Sequence, residues 1–355
     1  MDQVNATLRQ YLLVVCLIAA AIVSVFIGLY LGYLRRGMIR PLQLLVDSAV
    51  KFVQVGVEGQ RGAITGMEVQ VDTGDEIEDL ANAFNQMSED IVNYIHNLTT
   101  VTAEKERIGA ELNVATTIQA SMLPGTFPAF PGRTDFDICA TMTPAKEVGG
   151  DFYDFFLIDD DHLGLVMADV SGKGVPAALF MVRSMTLLKT QAMTGQSPGQ
   201  VLTAVNGELC AHNEGELFVT VWLGILELST GKLAYANAGH EYPLVRQGGE
   251  YRYIPQKPGF VLGGMEGMRY QEQAMLLSPG DALFQYTDGV TEATDTQERL
   301  YGADRLLRAI NRGAQLSPAR LLPFLKEDID AFVGDAPQFD DITMLALTYT
   351  GGNKL

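Results

Sequence analysis

The sequence predicts an α+β domain with antiparallel sheets, preceded by a single membrane-spanning helix. From residue 134 onward, short apolar runs of β-type residues are separated by glycine turns. Helical stretches lie among these runs without the strict strand–helix–strand alternation of a parallel sheet. Near the N-terminus, Tyr11–Leu34 is a run of 24 residues without a charge. A membrane span needs about 20 residues, so this run is long enough.

Composition limits the classes of partner. The chain has 355 residues and a formal net charge of −18, which leaves room for one sizeable domain with accessory segments. A protein that binds nucleic acid needs a basic face, so this charge argues against such a partner. The three cysteines, Cys16, Cys139 and Cys210, are widely spaced and odd in number. They indicate a reducing interior rather than a disulfide framework or a zinc site.

The apolar run predicts a transmembrane helix at residues 11–34 rather than a signal peptide. A signal peptide carries its positive charges before the apolar run, whereas Arg35, Arg36 and Arg40 follow it and only Arg9 precedes it. The positive-inside rule then predicts a single-pass protein of the cell (inner) membrane, with the residues after the span in the cytoplasm. Residues 1–10 would form a short extracytoplasmic N-terminus, too small for a sensor domain.

A helix–connector–helix linker is predicted at residues 35–88. Pro41 stands where a helix could begin, and a glycine-rich connector covers residues 56–74. The second helix then begins with "GDEIEDLANAFNQM". This arrangement, directly after a predicted membrane span, resembles a HAMP linker, and HAMP-like linkers work as parallel dimers.

The second linker helix continues as a predicted coiled coil, assigned to residues 89–123. Ten of the twelve residues in its a/d series are apolar over more than five heptads. The series is Phe84, Met87, Ile91, Tyr94, Leu98, Val101, Lys105, Ile108, Leu112, Ala115, Gln119 and Met122. Its polar members Lys105 and Gln119 lie at a, where polar residues reduce stability and fix register. We expect a parallel homodimer; the alternative is a long amphipathic helix packed on its own domain.

The C-terminal domain is predicted at residues 124–350, with a tail at 351–355, because Pro124 and Pro128 end the long helix. Two hairpins are predicted, one turning at 229–231 and the other at 248–249. Helices are predicted at 176–192, 198–212, 302–313 and 318–333. Trp222 lies inside an apolar strand and is predicted to belong to the core.

Several aspartates lie beside glycines at the ends of predicted strands. Asp151 precedes "FYDFFLI", and Asp169 directly follows "LGLVMA". Asp288 follows "ALFQY", and Asp340 and Asp341 precede "ITMLALTY". A single aspartate in such a position is usually a turn former. A group of strand-end carboxylates can instead converge on one rim, where they would suit a hard divalent cation that prefers oxygen ligands.

Five motifs carry a resemblance to a known family. "KEVGGDFYDFF", "ADVSGKGVPAALFM", "YANAGHEYPLV", "YTDGVTEA" and "FDDITMLAL" occur in the order of the metal-dependent protein phosphatase 2C (PPM) family. Together with "ELNVATTIQASMLP", they look like its bacterial SpoIIE-type sporulation and stress-response branch. The resemblance covers roughly residues 111–349. It implies an antiparallel β-sandwich flanked by helices, with two Mn²⁺ or Mg²⁺ ions at one edge.

The resemblance also implies roles for individual residues. It assigns catalytic and metal-binding roles to four carboxylates: Asp151, Asp169, Asp288 and Asp340. Asp169 matches the carboxylate that bridges both ions, and the carbonyl of Val170 matches a main-chain ligand. Val170 replaces a glycine that is common in the wider family. Because the ligand is the main-chain carbonyl, this difference in side chain should not remove it. Asp341 is included with the metal residues, although the motif favours Asp340 as the ligand and Asp341 as a residue that orients its neighbours.

The implied function is dephosphorylation of phosphoserine or phosphothreonine in a bacterial switch protein of the anti-sigma-factor antagonist type. Two cations about 3.5–4 Å apart can hold a bridging hydroxide that attacks phosphorus in line. A degenerate phosphatase domain that serves as a signalling scaffold is the alternative. The diguanylate cyclase hypothesis fails because Phe152-Tyr153, not an acidic–aromatic pair, follows "GGD". The sequence also lacks the Cys-based phosphatase loop and a P-loop.

Three other polar residues lie near the motifs. Lys146 and Lys173 either steer an anionic substrate to the rim or belong to a solvated surface. His240, in "NAGHEYP", is interpreted as a hydrogen-bonded turn residue rather than an acid that protonates the leaving group.

Overall fold

The structure is a computed structural model that describes residues 2–57, 68–146 and 148–351. It divides into two compact units, Met1–Ile108 and Gly109–Leu355. Residues 58–67 of the predicted connector and residues 352–355 of the predicted tail lie outside the described residues.

The first unit begins with an apolar helix. Helix α1 covers Asp2–Leu34, so it starts before the predicted span at residue 11 and includes residues assigned to an extracytoplasmic segment. A π-helical segment, Arg35–Ile39, joins it to α2, Arg40–Val57. The helical run Tyr11–Gln54 contains a window with a mean hydropathy of 3.1, long and apolar enough to cross a membrane.

Pro41 lies in the first turn of α2, where the sequence predicts a helix to begin, but the helical path before it is not interrupted. The helical path continues through it, although a proline lacks an N–H and crowds the carbonyl four residues earlier. The π-helical segment lies immediately before the proline, and the N–H of Arg40 there donates to the carbonyl of Arg35. This wider turn offers room for the proline ring without ending the helix.

The linker is held together by a small apolar cluster and an asparagine. Leu45, Val69 and Ala81 are buried against one another, with Phe84 packed beside them. The Asn85 side chain accepts a hydrogen bond from the N–H of Val69 at 2.8 Å and donates to its carbonyl at 3.0 Å. These contacts join the segment after the connector to helix α3, Glu76–Met122.

Helix α3 only partly matches the predicted coil. Six apolar residues of the a/d series are exposed: Met87, Ile91, Tyr94, Leu98, Val101 and Ile108. Near the end of the helix, Gln119 is buried and its side chain bonds the backbone of Gly149 in the same chain. The assignment of Gln119 to an intermolecular seam is therefore wrong, because its amide is used within its own domain.

The second unit contains two five-stranded sheets in which every pairing is antiparallel. One sheet has the order β1-β10-β9-β6-β7 and the other β2-β3-β4-β5-β8. The strands are β1 Phe136–Thr143, β2 Phe152–Leu157, β3 His162–Val170, β4 Val219–Glu227, β5 Lys232–Ala238, β6 Leu244–Gln247, β7 Glu250–Tyr253, β8 Glu272–Leu276, β9 Ala282–Tyr286 and β10 Ile342–Tyr349. Both predicted hairpins are confirmed, as β4–β5 and β6–β7.

Helices cover the outer face of each sheet. They are α4 Val175–Ala192, α5 Pro198–Cys210, α6 Asp288–Thr291, α7 Ala303–Arg312 and α8 Pro318–Val333. One apolar cluster joins α4 and α5 to the sheet that contains β2–β5, and another joins α7 and α8 to the sheet that contains β9 and β10. A third cluster fills the space between the sheets and includes the fully buried Trp222. The predicted α+β sandwich flanked by helices is confirmed.

Candidate metal centre

The predicted site residues lie where strands of both sheets end or begin. Asp151 directly precedes β2, and Asp169 and Val170 end β3 in the same sheet. Asp288 begins the short helix α6 after β9, and Asp341 directly precedes β10 in the other sheet. The close packing of the two groups is visible at Gly149, two residues before Asp151, where a β-carbon would overlap the carboxylate of Asp341.

Burial and mutual repulsion act on the central carboxylates. Burial, followed by the charge of Asp169, raises the pKa of Asp151 well above its ordinary value. Burial raises the pKa of Asp169 to about 7, and the charges of Asp288 and Asp340 add to the increase. The pKa of Asp288 rises to about 6, mainly through burial and then through the charge of Glu292. An interaction with the Asp151 carboxyl group lowers the pKa of Asp169 and opposes part of its increase.

Two threonines that the sequence analysis missed fix the Asp151 carboxylate. Thr287 Oγ1 donates to Asp151 Oδ2 at 2.7 Å, and Thr343 Oγ1 donates to the same oxygen at 2.6 Å. Both hydrogen bonds favour the ionised form, although burial outweighs them. Both threonines belong to quoted motifs, "YTDG" and "DDIT", but a sequence pattern does not show that their hydroxyls meet one carboxylate.

Asp341 and Asp340 have different partners. Asp341 Oδ1 accepts from the N–H of Ala145 at 2.8 Å, and its Oδ2 accepts from the N–H of Gly150 at 3.0 Å. These contacts favour the orienting role considered for Asp341 over direct metal binding. Asp340 Oδ2 lies 2.7 Å from Lys173 Nζ.

The two lysines near the motifs differ in their surroundings. Lys173 Nζ also donates to the carbonyl of Phe339 at 2.7 Å and lies 4.2 Å from the centre of the Phe339 ring. This ammonium group thus joins the loop after β3 to the loop before β10. Both lysines are exposed, so exposure does not separate them; the contacts with Asp340 and Phe339 connect Lys173 to the site.

His240 is a buried hydrogen-bonding residue, as the sequence analysis preferred. Its Nε2 lies 3.1 Å from the carbonyl of Tyr286, and its Nδ1 lies 2.9 Å from Thr220 Oγ1. Burial lowers the pKa of His240 to about 4, so the neutral ring donates through Nε2 and accepts at Nδ1. Thr220 is paired with Asp169 in the sheet. The ring therefore connects the end of β9 to the strand beside Asp169.

The donor set fits a divalent cation. Crowded, buried carboxylates are stabilised by a nearby positive charge, and hard cations prefer such oxygen ligands. The residues that could hold it are Asp151, Asp169 with the carbonyl of Val170, and Asp288. Across the described ranges, no three His, Cys, Asp or Glu side chains already form a metal cage. Asp340 Oδ2 lies beside Lys173 and its Oδ1 accepts from the N–H of Asp341, so a cation would compete with these partners for Asp340.

Two family models match the chain, one in its N-terminal part and one in its C-terminal part. Residues 33–93 match the model of the HAMP domain. Residues 159–350 match the model of Stage II sporulation protein E, SpoIIE, and cover more than half of the chain.

Two curated proteins are related to the chain. Protein IcfG of Synechocystis is 29% identical over 315 residues, which cover 79% of this chain and 48% of IcfG. Phosphoserine phosphatase RsbU of Bacillus subtilis is 31% identical over 194 residues, which cover 54% of this chain and 57% of RsbU. The chain thus spans about half the length of these relatives.

A solved structure has the same fold. The chain resembles the SiaA-PP2C domain of Pseudomonas aeruginosa with a TM-score of 0.61 and 22% identity, covering 70% of this chain and 99% of that domain. At this identity the likeness concerns the fold alone. Because the SpoIIE model spans more than half of the chain and the fold agrees, the chain belongs to the SpoIIE family of PP2C-type domains and carries a HAMP domain.

Proposed function

We propose that the chain is a metal-dependent serine/threonine phosphoprotein phosphatase in bacterial signal transduction. The observation that carries the proposal is the convergence of Asp151, Asp169 and Asp288 at the shared edge of the two sheets, with pKa values raised by burial and repulsion. Membership of the SpoIIE family and similarity to a protein named phosphoserine phosphatase support the same activity.

Two Mn²⁺ or Mg²⁺ ions are proposed for this centre, with Asp169 and the Val170 carbonyl at its middle. Such ions supply Lewis-acid stabilisation of the phosphoryl group and activation of the attacking water. Asp340 is proposed as a further ligand after release from Lys173, whose ammonium group could then contact a substrate phosphate. Asp341 is proposed to position the loop rather than to bind metal.

The surrounding residues are proposed to keep the ligands in place. Thr287 and Thr343 hold one oxygen of Asp151 and so limit its rotation. His240 supports the backbone before Asp288 through its bond to Tyr286. Such supporting hydrogen bonds orient metal ligands, and their loss typically reduces metal affinity or activity by about 10–100-fold.

We predict that the purified full chain hydrolyses a phosphoserine peptide in the presence of Mn²⁺ and loses this activity in EDTA. Asp169→Asn should lower kcat/KM at least about a hundredfold, because metal catalysis contributes several kcal/mol of transition-state stabilisation. Initial rates measured over a range of Mn²⁺ concentrations test both statements.

The matched control is Asp137→Asn, which changes an exposed aspartate of β1 and should leave the rate unchanged. Unchanged activity in Asp169→Asn would remove this aspartate from the proposed centre. A wild-type chain that binds Mn²⁺ without hydrolysing any phosphoserine substrate would instead favour the signalling scaffold.

The N-terminal part is proposed to tether the phosphatase to a membrane as a parallel dimer. The apolar run within α1 and the HAMP domain support a single span with the catalytic unit in the cytoplasm. The exposed apolar series on α3, from Met87 to Ile108, supports a second copy as its cover. We restrict the proposed coil to this part of α3, because Gln119 has a partner in its own domain.

Leu98→Asp should dissociate the dimer of a fragment that lacks residues 1–34. The substitution places paired charges at an a position of the proposed seam, where they repel one another in a parallel coil. Thr100→Asp, on the same helix but outside the a/d series, is the control and should remain dimeric. Sedimentation equilibrium that finds a wild-type monomer would refute the proposed dimer.

The substrate is proposed to be phosphoserine on a small folded switch protein of the anti-sigma-factor antagonist type. The similarity to a protein named phosphoserine phosphatase supports phosphoserine as the hydrolysed group, and the resemblance to the SpoIIE-type branch motivates the class of partner. A metal centre accepts many phosphomonoesters, so selectivity must come from surface contacts around it. Helix α4 begins soon after Val170 and exposes Val175 and Leu179, which could contact a folded partner.

We predict that kcat/KM for a phosphorylated antagonist exceeds that for a short peptide with the same phosphoserine by at least about tenfold. Leu179→Ala should lower the value for the folded protein and leave the value for the peptide unchanged. Equal wild-type values for both substrates would contradict recognition of the folded partner.

A further inference from the structure

The last turn of α3 is bonded to the loop that presents the first aspartate of the candidate centre. Gln119 Nε2 donates to the carbonyl of Gly149 at 2.7 Å, and Gln119 Oε1 accepts from the N–H of the same residue at 3.2 Å. One side chain therefore satisfies both backbone groups of one residue. Gln119 is 7% exposed and Gly149 is buried, so water has little access to the N–H and carbonyl of Gly149.

The same loop is confined on its other sides. The N–H of Gly150 donates to Asp341 Oδ2 at 3.0 Å. A β-carbon on Gly149 would overlap the Asp341 carboxylate, and one on Gly150 would lie 2.8 Å from the carbonyl of Val170. The backbone before Asp151 thus runs between the Gln119 amide and the Asp341 carboxylate, against the proposed main-chain ligand.

The chemistry of the contact requires an amide. Gly149 presents one donor and one acceptor, and a glutamine amide supplies the complementary acceptor and donor. A glutamate at this position would accept from the N–H but would also face the carbonyl with a second oxygen. A methionine would fill a similar volume and leave both backbone groups unsatisfied.

We propose that Gln119 is a positioning residue for metal binding. Its amide fixes the backbone of Gly149, and this backbone sets where the Asp151 carboxylate stands relative to Asp169 and the Val170 carbonyl. The inference rests on the proposed function because the loop it positions is the one proposed to hold the metal. Gln119 itself contacts neither metal nor substrate.

The test compares Gln119→Met with the wild-type full chain in detergent. Gln119→Met should weaken Mn²⁺ binding about tenfold, the lower end of the range for residues that orient metal ligands. Isothermal titration calorimetry measures the affinity without reference to catalysis. The Mn²⁺ concentration for half-maximal rate should rise by the same factor, while kcat at saturating Mn²⁺ stays within about threefold, because every proposed ligand remains.

Two further variants define the effect. Asn113→Ala removes an exposed amide from the same helix and should leave the Mn²⁺ affinity unchanged. Gln119→Glu should weaken binding at least as much as Gln119→Met. Trp222 is the only tryptophan in the chain and is fully buried in the same unit, so its fluorescence checks that each variant is folded.

The outcomes separate this inference from the proposed function. Unchanged Mn²⁺ affinity in a folded Gln119→Met would overturn the inference and leave the proposed function standing. Weakened binding in a chain with no phosphatase activity would support the inference and contradict the proposed function. A wild-type chain that binds no Mn²⁺ would overturn both.

A second measurement uses only the wild-type chain and therefore does not depend on whether the variants fold. If Gln119 and the metal hold the same loop, metal binding must stabilise the hydrogen bonds between Gln119 and Gly149. Saturating Mn²⁺ should then slow hydrogen exchange of residues 115–122 in the wild-type chain, while exchange over α8 stays constant. Unchanged exchange of residues 115–122 in a chain that binds Mn²⁺ would overturn the proposal.

Discussion

The arrangement of the second unit depends on one electrostatic constraint, which is that several buried or half-buried aspartates are crowded together where two sheets meet. Burial and mutual repulsion raise the pKa values of Asp151, Asp169 and Asp288. Such a group persists only if hydrogen-bond donors or positive charges compensate it. The threonine hydroxyls on Asp151 meet part of this requirement, and a divalent cation would meet more of it.

The compensating contacts also determine the shape of the site. Thr343 lies in β10 and Thr287 directly follows β9 of the same sheet, and both bond a carboxylate that precedes a strand of the other sheet. His240 connects the end of β9 to Thr220, next to Asp169 in the sheet. Gln119 adds a contact from α3 to the loop before Asp151. The proposed centre is therefore built from contacts between separate elements, and a local change in any of them can move a ligand.

Local sequence patterns were sufficient for most of the fold. Both hairpins and the long helices of the second unit were predicted because glycine turns and apolar periodicity are short-range signals. The ordered motifs pointed to the aspartates through family resemblance, but the hydrogen-bond partners of these aspartates were not predictable. Thr287 and Thr343 are 136 and 192 residues from Asp151 in sequence. Gln119 fitted a heptad position, yet its amide bonds the backbone of Gly149 in its own domain. A π-helical turn lets the helix continue through Pro41.

The proposed function requires these strand-end carboxylates to form one metal centre. Anomalous diffraction at the manganese edge, from crystals of the second unit grown with Mn²⁺, would locate the ions. We expect two peaks on either side of the Asp169 carboxylate, one of them within coordination distance of the Val170 carbonyl. Peaks only at other acidic surfaces, or no peak in crystals of a chain whose phosphatase activity requires Mn²⁺, would contradict it.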